Sequence, residues 1–362
     1  MSVTAQLVRR EVTTGPSVSI PWRRRLSLWR HGYNSRSGVL FGLDTGDPAY
    51  DQYMSDYRLE QLGDLCGQWT GVVDNKLASQ LLLGSFDEHL PDLYGIVDGG
   101  RLDQRQSFVS GRCEMPTTDG VVNAFVWIKA YLEWNDALVL KPTHGYGGRG
   151  VLVCRTAPDG DADSGYRVNG EAKTTAEFDA LVDGLEEYLA SEFVDQADYV
   201  ADLYPDTANT LRVLTLWDYE RDEPFVSGAV HRIGTDESAP VDNWSHGGLS
   251  AELCDDGTLS DAAGWQSTTD DLRWYEVHPN SGTRIEGTDV PDWPSVRDRV
   301  VEMAAMFPSL PRLGWDLVLT DDEGGFRVLE VNAHAGIETL QVHRPHLQDP
   351  RTRRFYEYHG HA

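Results

Sequence analysis

Lysine is almost missing. The 362-residue chain has four: Lys76, Lys129, Lys141 and Lys173. Arginine supplies the rest of 31 basic residues, which face 58 acidic ones for a net charge of −27. So acidic a surface repels a phosphate backbone, which excludes a general nucleic-acid binder. Carboxylates in this excess predict a protein suited to a high-salt, halophilic cytoplasm, where their mutual repulsion is screened. Cysteine is scarce too. Cys66, Cys113, Cys154 and Cys254 lie far apart with no C-x-x-C pair, which argues against a zinc site or a disulfide framework. They read as small buried apolar side chains. No apolar run reaches the roughly 18–20 residues that span a bilayer. Residues 1–20 carry no apolar stretch of the kind a secretory signal needs, so a cytoplasmic location is expected. Hydrophobic residues at 40% and charged residues at 25% are ordinary for a globular chain. The length allows two or three packed subdomains.

The first 60 residues read as an arm. Its basic stretch, Trp22-Arg23-Arg24-Arg25-Leu26-Ser27-Leu28-Trp29-Arg30, suits peripheral contact with an anionic membrane surface or a partner. The simpler expectation is a helix that packs its Trp and Leu on the body. Asp74–Ser85 predicts a helix capped by Asp74 or Asn75, with Leu77, Leu81 and Leu82 on one face. Ala137–Lys141 and Gly150–Cys154 predict strands around a glycine-rich turn. Asp159–Glu171 reads as a polar surface loop, and Thr175–Leu189 as a helix opened by a Thr-Thr-Ala-Glu cap. Thr210–Leu216 and Phe225–Ile233 predict a hairpin, Pro294–Phe307 a helix, and Leu317–Thr320 with Phe326–Val331 a further strand pair. No repeat or low-complexity tract is present.

Two stretches carry chemistry. In Lys141-Pro142-Thr143-His144-Gly145-Tyr146-Gly147-Gly148-Arg149-Gly150 a lysine ends one strand and four glycines fill the loop before the next. Glycine lets backbone N–H groups approach phosphate oxygens, and lysine adds a mobile point charge. This is neither a Walker loop nor a dinucleotide fingerprint, because a strand follows rather than a helix. In a chain with four lysines, one at a strand end is a candidate phosphate ligand. The second stretch is Gly314-Trp315-Asp316-Leu317-Val318-Leu319, followed by Val328-Leu329-Glu330-Val331-Asn332. Asp316, Glu330 and Asn332 interrupt apolar strands, and buried acids need a partner or a metal. Two carboxylates and an amide oxygen are hard ligands suited to Mg²⁺ (or Mn²⁺) beside phosphate oxygens. The competing reading is a solvated polar face.

Together, a Lys-Pro with its glycine loop and a later Asp strand with Glu-x-Asn resemble the ATP-grasp superfamily. Asp74-Asn75-Lys76-Leu77 resembles that family's first ATP lysine, and Ser191-Glu192-Phe193-Val194 its adenine hinge. Asn209–Arg212, His231–Gly234, Val241-Asp242-Asn243 with Gly247-Gly248, Ile285-Glu286-Gly287 and Pro291-Asp292-Trp293 resemble the sugar-transfer-associated subgroup. So do the arm motifs Trp29–Tyr33 and Tyr53–Asp56.

The resemblance implies an α+β, ATP-grasp fold: two α+β lobes hold ATP between them, with an N-terminal helical arm. It divides the chain into residues 1–73, 74–190 with the lid, and 191–362 with the metal site. It implies that Lys76 and Lys141 hold the α- and β-phosphates under a lid of Gly145, Gly147 and Gly148. Glu192, Phe193 and Val194 would line the adenine, and Asp198 the ribose. Asp316, Glu330 and Asn332 would bind Mg²⁺. Arg212 and Arg232 would neutralise the γ-phosphate or an acyl phosphate. Asn243, His246 and Gly247-Gly248 would border the acceptor, with His246 either a base or an exposed loop histidine.

The implied activity is an ADP-forming ligase that joins a small-molecule or glycan-linked carboxylate to an amine, thiol or hydroxyl, with a place in envelope biosynthesis. A kinase of a small hydroxyl substrate and a nucleotide-binding regulatory protein are the alternatives. No covalent-catalysis signature such as G-x-S-x-G is present.

Overall fold

The computed structural model describes residues 5, 7–9, 11, 18–46, 48–63, 65–105, 107–109, 120–145, 147–157, 165–266, 269 and 271–361. Cys113, Tyr146, most of residues 1–20 and the stretch 158–164 lie outside them. The chain divides into two compact units. The smaller comprises Gly71–Asp195 with Arg327–Glu330, and the larger Met1–Thr70, Gln196–Phe326 and Val331–Ala362.

Eight strands form the sheet of the smaller unit: β1 (Leu93–Asp98), β2 (Arg101–Asp103), β3 (Val121–Asn123), β4 (Leu138–Pro142), β5 (Leu152–Thr156), β6 (Tyr166–Val168), β7 (Glu171–Lys173) and β8 (Tyr188–Glu192). Their order is β3-β2-β1-β8-β4-β5-β6-β7. The Ala124–Leu132 and Thr175–Asp183 helices supply apolar faces to its core, with Ile128, Leu138, Phe178 and Leu140 all fully buried. Thr174 accepts from Glu177 N–H while Glu177 reaches back to the Thr174 N–H, so the expected cap is present. This helix ends at Asp183, however, and Leu189 lies in β8. Gly184 interrupts the apolar periodicity, and Tyr188–Glu192 pairs with β1 and β4 instead. The expected loop at Asp159–Glu171 contains β6. Tyr166 and Val168 alternate into the core around Arg167, and Tyr166 stacks on Phe178 at 4.3 Å.

The larger sheet holds β9 (Thr210–Asp218), β10 (Glu223–Ile233), β11 (Leu249–Leu253), β12 (Leu259–Gln266), β13 (Asp271–Tyr275), β14 (Arg312–Leu319) and β15 (Phe326–Asn332), ordered β13-β12-β11-β10-β9-β14-β15. β9 and β10 are the expected hairpin, and the Trp293–Ala305 helix follows with Pro294 in its first turn. Residues 1–70 belong to this unit: Gln341 accepts from Met54 N–H at 2.7 Å and donates to Met54 O at 3.0 Å. The basic stretch forms the Trp22–His31 helix. Leu28 is fully buried and Trp29 half-buried, but Trp22 stays 68% exposed, so the packing expected of the stretch holds for only part of it. Cys66 and Cys154 are buried and Cys254 only half so.

No helix among the described residues is long and apolar enough to cross a membrane.

Candidate active site

In the smaller unit, the Lys76–Leu82 helix begins where Asn75 accepts from Ala78 N–H. Its buried face is not the leucine stripe expected from the sequence. Leu81 is 50% exposed, whereas Lys76 and Ser79 are buried. The reason is the helix start, where Lys76 N–H donates to Thr143 O at 2.9 Å and draws the first turn onto the glycine-rich segment. The Lys76 ammonium donates to Gly145 O at 2.8 Å and lies 3.4 Å from Glu330 Oε1. The Lys141 ammonium reaches Leu329 O at 3.5 Å. Burial, together with the positive charge of Lys76, pushes Lys141 down to about 8, against the opposing pull of Glu330. Two buried ammonium groups beside one carboxylate form a local positive excess.

Gly145, Gly147, Gly148 and Gly150 all have positive φ, at 134°, 69°, 72° and 78°. Side chains rarely tolerate this backbone, so the loop that leaves Lys141 requires glycine. His144 is tied to its base by Thr143 Oγ1 at 3.0 Å and Asn75 Nδ2 at 3.0 Å.

At the other end of this sheet, Glu192 accepts from Asp92 N–H at 2.8 Å, and its own N–H donates to Asp92 O at 2.8 Å. The Arg155 guanidinium stacks over the Phe193 ring at 4.5 Å, and Val194 is buried. Asp198, by contrast, is an exposed residue at the start of the Asp198–Leu203 helix of the larger unit.

In the larger unit, strand register gathers the charged groups. Asp316 of β14 lies directly opposite Arg212 of β9, and Arg232 of β10 lies opposite Thr210. Thr210 and Arg212 are two apart on β9, so all four side chains leave one face. Arg212 grips Asp316 with both fork arms, at 2.5 Å and 2.9 Å. Arg232 donates to Asp242 at 2.6 Å and to Asp316 at 3.4 Å. Burial opposes ionisation of Asp316, but the two guanidiniums outweigh it and hold the carboxyl below its usual range. Burial raises Asp242, against the pull of Arg232 and the hydrogen bonds from Thr210.

Packing fixes the frame around these groups. Trp315 is fully buried, and its Nε1–H donates to Thr215 Oγ1 at 2.9 Å. Gly314 leaves no room for a side chain, since a Cβ there would lie 2.3 Å from that of Ala335. Buried Arg312 donates to Ala333 O at 3.4 Å and to Ala335 O, which holds the segment after Asn332.

In the sequence Asp242 stands out only as part of the Val241-Asp242-Asn243 motif. What singles it out is its pairing with Arg232, and only the fold shows that. Asn243 caps the short Trp244–His246 turn, and His246 is exposed.

As for a metal, Glu330 and Asn332 leave the same face of β15 by alternation, and Asp316 stands on the neighbouring strand. Two carboxylates and an amide oxygen are hard donors that fit Mg²⁺. In this structure the Asp316 oxygens accept from arginine. Among the described residues no cluster of three His, Cys, Asp or Glu is placed to hold a metal.

Two α+β units with antiparallel sheets, a glycine-rich loop beside paired lysines, and an Asp strand followed by Glu-x-Asn define the ATP-grasp class. The family model of sugar-transfer associated ATP-grasp proteins matches residues 67–354, and the chain belongs to that family. No curated protein matches it.

Similar solved structures are remote. They include N5-carboxyaminoimidazole ribonucleotide synthetase from Thermotoga maritima, with 12% identity, TM-score 0.32, 73% of this chain and 42% of that one. L-amino acid ligase from Bacillus licheniformis has 12% identity and TM-score 0.35, over 75% of this chain and 42% of that one. D-alanine–D-alanine ligase from Bacillus anthracis has 11% identity and TM-score 0.35, over 80% and 68%. The chain spans less than half the length of the first two.

Proposed function

We propose that the chain is an ATP-dependent ligase that activates a carboxylate as its acyl phosphate and joins it to an amine, thiol or hydroxyl. The observation that carries this reading is the buried ammonium pair, Lys76 and Lys141, at the base of the glycine loop. Two buried cations with one carboxylate beside them are costly without a further anion, and a polyphosphate supplies one.

In this reading the glycine loop's N–H groups and the two ammoniums hold the α- and β-phosphates. Glu192, Phe193 and Val194 take the adenine, and Asp198 the ribose. Arg212 and Arg232 spread the charge that develops on the transferred phosphoryl group. Asp316, Glu330 and Asn332 hold Mg²⁺, which when bound neutralises phosphate oxygens. The residues around Asn243 and Gly247-Gly248 border the acceptor. No protein nucleophile is needed, because the substrate carboxylate attacks the γ-phosphorus and ADP leaves. The lid keeps water from the acyl phosphate. A glycan-linked or envelope-precursor acid is the substrate class we favour, in keeping with the family's sugar-transfer association.

The test is ATP turnover with Mg²⁺ in high potassium chloride, over a panel of carboxylates and amines, with products read by mass spectrometry. A condensed product with ADP and phosphate is expected. A phosphorylated hydroxyl with no condensation would replace the ligase with a kinase. Full turnover by Glu330→Ala would remove Glu330 from the site.

A further inference from the structure

Asp242 is a strongly anchored carboxylate of this region that the proposed chemistry leaves without a task. It is buried, with 5% exposure. One oxygen, Oδ2, is fixed by β9, since it accepts from the Thr210 N–H at 3.0 Å and from the Thr210 hydroxyl. The other, Oδ1, accepts from Arg232 Nη2 at 2.6 Å. The carboxylate is therefore rigid on one side and charged on the other.

The second nitrogen of Arg232 lies 3.4 Å from Asp316 Oδ1. Arg232 is thus shared between two acids. Without Asp242 its fork would turn onto Asp316, which already holds Arg212. The backbone of Asp242 also seats the loop after it. Val241 bridges to Ala208, and a Cβ on Gly248 would lie 2.6 Å from Asp242 O.

We propose that Asp242 is a positioning residue: it holds the Arg232 guanidinium off Asp316 and aims it at the terminal phosphate of ATP. This rests on the reading that Arg232 meets that phosphate. Asp242 itself touches neither nucleotide nor acceptor. Its effect is selective, because ADP has no terminal phosphate for Arg232 to meet. A carboxylate that only stabilised the fold would change the affinity for both nucleotides alike.

The experiment is calorimetric titration of the full chain with ATP and with ADP, each in excess Mg²⁺, in four variants. Arg232→Gln is expected to weaken ATP about tenfold and leave ADP unchanged, the scale of one charge-assisted phosphate contact. Asp242→Asn keeps the shape and loses the charge, and is expected to reproduce that selective loss. Thr210→Val loses the hydroxyl contact but keeps the backbone N–H to Asp242, and is expected to leave the ATP-to-ADP ratio as it is. Asp242→Glu keeps the charge and moves it by one methylene, so a smaller selective loss is expected.

If Arg232→Gln is selective but Asp242→Asn weakens both nucleotides equally, or neither, the positioning role is overturned and the reading of Arg232 survives. If Arg232→Gln itself is unselective, the reading of Arg232 falls, and Asp242 with it. Should Asp242→Asn fail to fold, Asp242→Glu decides on the same criterion.

Discussion

The two units handle buried charge in opposite ways. In the smaller, Lys76 and Lys141 lie buried beside Glu330, and Lys141 is depressed to about 8 by burial and by its neighbouring ammonium. In the larger, Arg212 and Arg232 are matched by Asp316 and Asp242 in a chain of short hydrogen bonds. The first arrangement sets two cations beside one carboxylate, and in the proposed function it favours an incoming anion. The second is balanced, and a ligand must exchange partners with it. One unit thus holds a cationic pair whose burial cost is already incurred, and the other an arginine cluster that stays neutralised until something displaces a carboxylate. The difference follows from residue chemistry. An ammonium lowers its pKa readily when buried, whereas a guanidinium stays charged and must be paired.

This contrast can be broken, beginning with the largest effect. Asp316→Ala leaves two buried guanidiniums short of a counter-ion and is expected to cost about 3–5 kcal/mol. Lys141→Met removes a depressed, buried cation and is expected to leave stability unchanged or raise it. Chemical denaturation of both variants checks this, with hydrogen exchange to show which unit opens. Equal losses in the two would end the comparison. In turnover the same lysine behaves differently: Lys141→Ala is expected to lower the rate by at least about 100-fold, measured as ADP release, while the far-UV spectrum stays native.

Acid sharpens the contrast next. The larger unit buries His231 and His346 and half-buries His343, and desolvation depresses them to about 4, about 3 and about 4. These histidines take up protons in the unfolded chain near pH 6.5 but in the folded one only well below it. Their contribution is therefore present above pH 6.5 and lost as pH falls toward 4. Asp56, pushed up to about 6 chiefly by burial, acts in the opposite direction. The histidines prevail, and a net loss on the order of 2 kcal/mol at pH 5.5 is expected for the larger unit. Urea melts at pH 7.5 and 5.5 with hydrogen exchange would show it, and an earlier loss in the smaller unit would contradict it. The smallest effect is Thr174→Ala, which removes the capping box of the smaller unit and is expected to cost about 1 kcal/mol. A thermal melt checks it, with no change in nucleotide affinity.

Local signals in the chain were legible without a fold. The Thr174–Glu177 box, the β9–β10 hairpin, the glycine loop after Lys141 and the alternation of Glu330 with Asn332 are all set by neighbours within a few residues. Less was legible where a distant segment decided the outcome. Leu81 belongs to an apolar stripe yet is exposed, because the helix is drawn by its first turn toward Thr143. Tyr166–Val168 sits in a polar stretch yet forms a strand, because its two apolar side chains find Phe178 and the core of the smaller unit.

The sequence by itself determined the charge of this protein, the glycines that the loop after Lys141 needs, the two lysines that stand beside that loop and the family to which it belongs. These properties reside in residue types and short spacings. Only the tertiary structure decided that Asp316 accepts from Arg212, 104 positions away, and that Asp242 shares Arg232 with it. Strand register sets which side chains stand opposite each other, and register comes from packing that no short stretch of sequence contains.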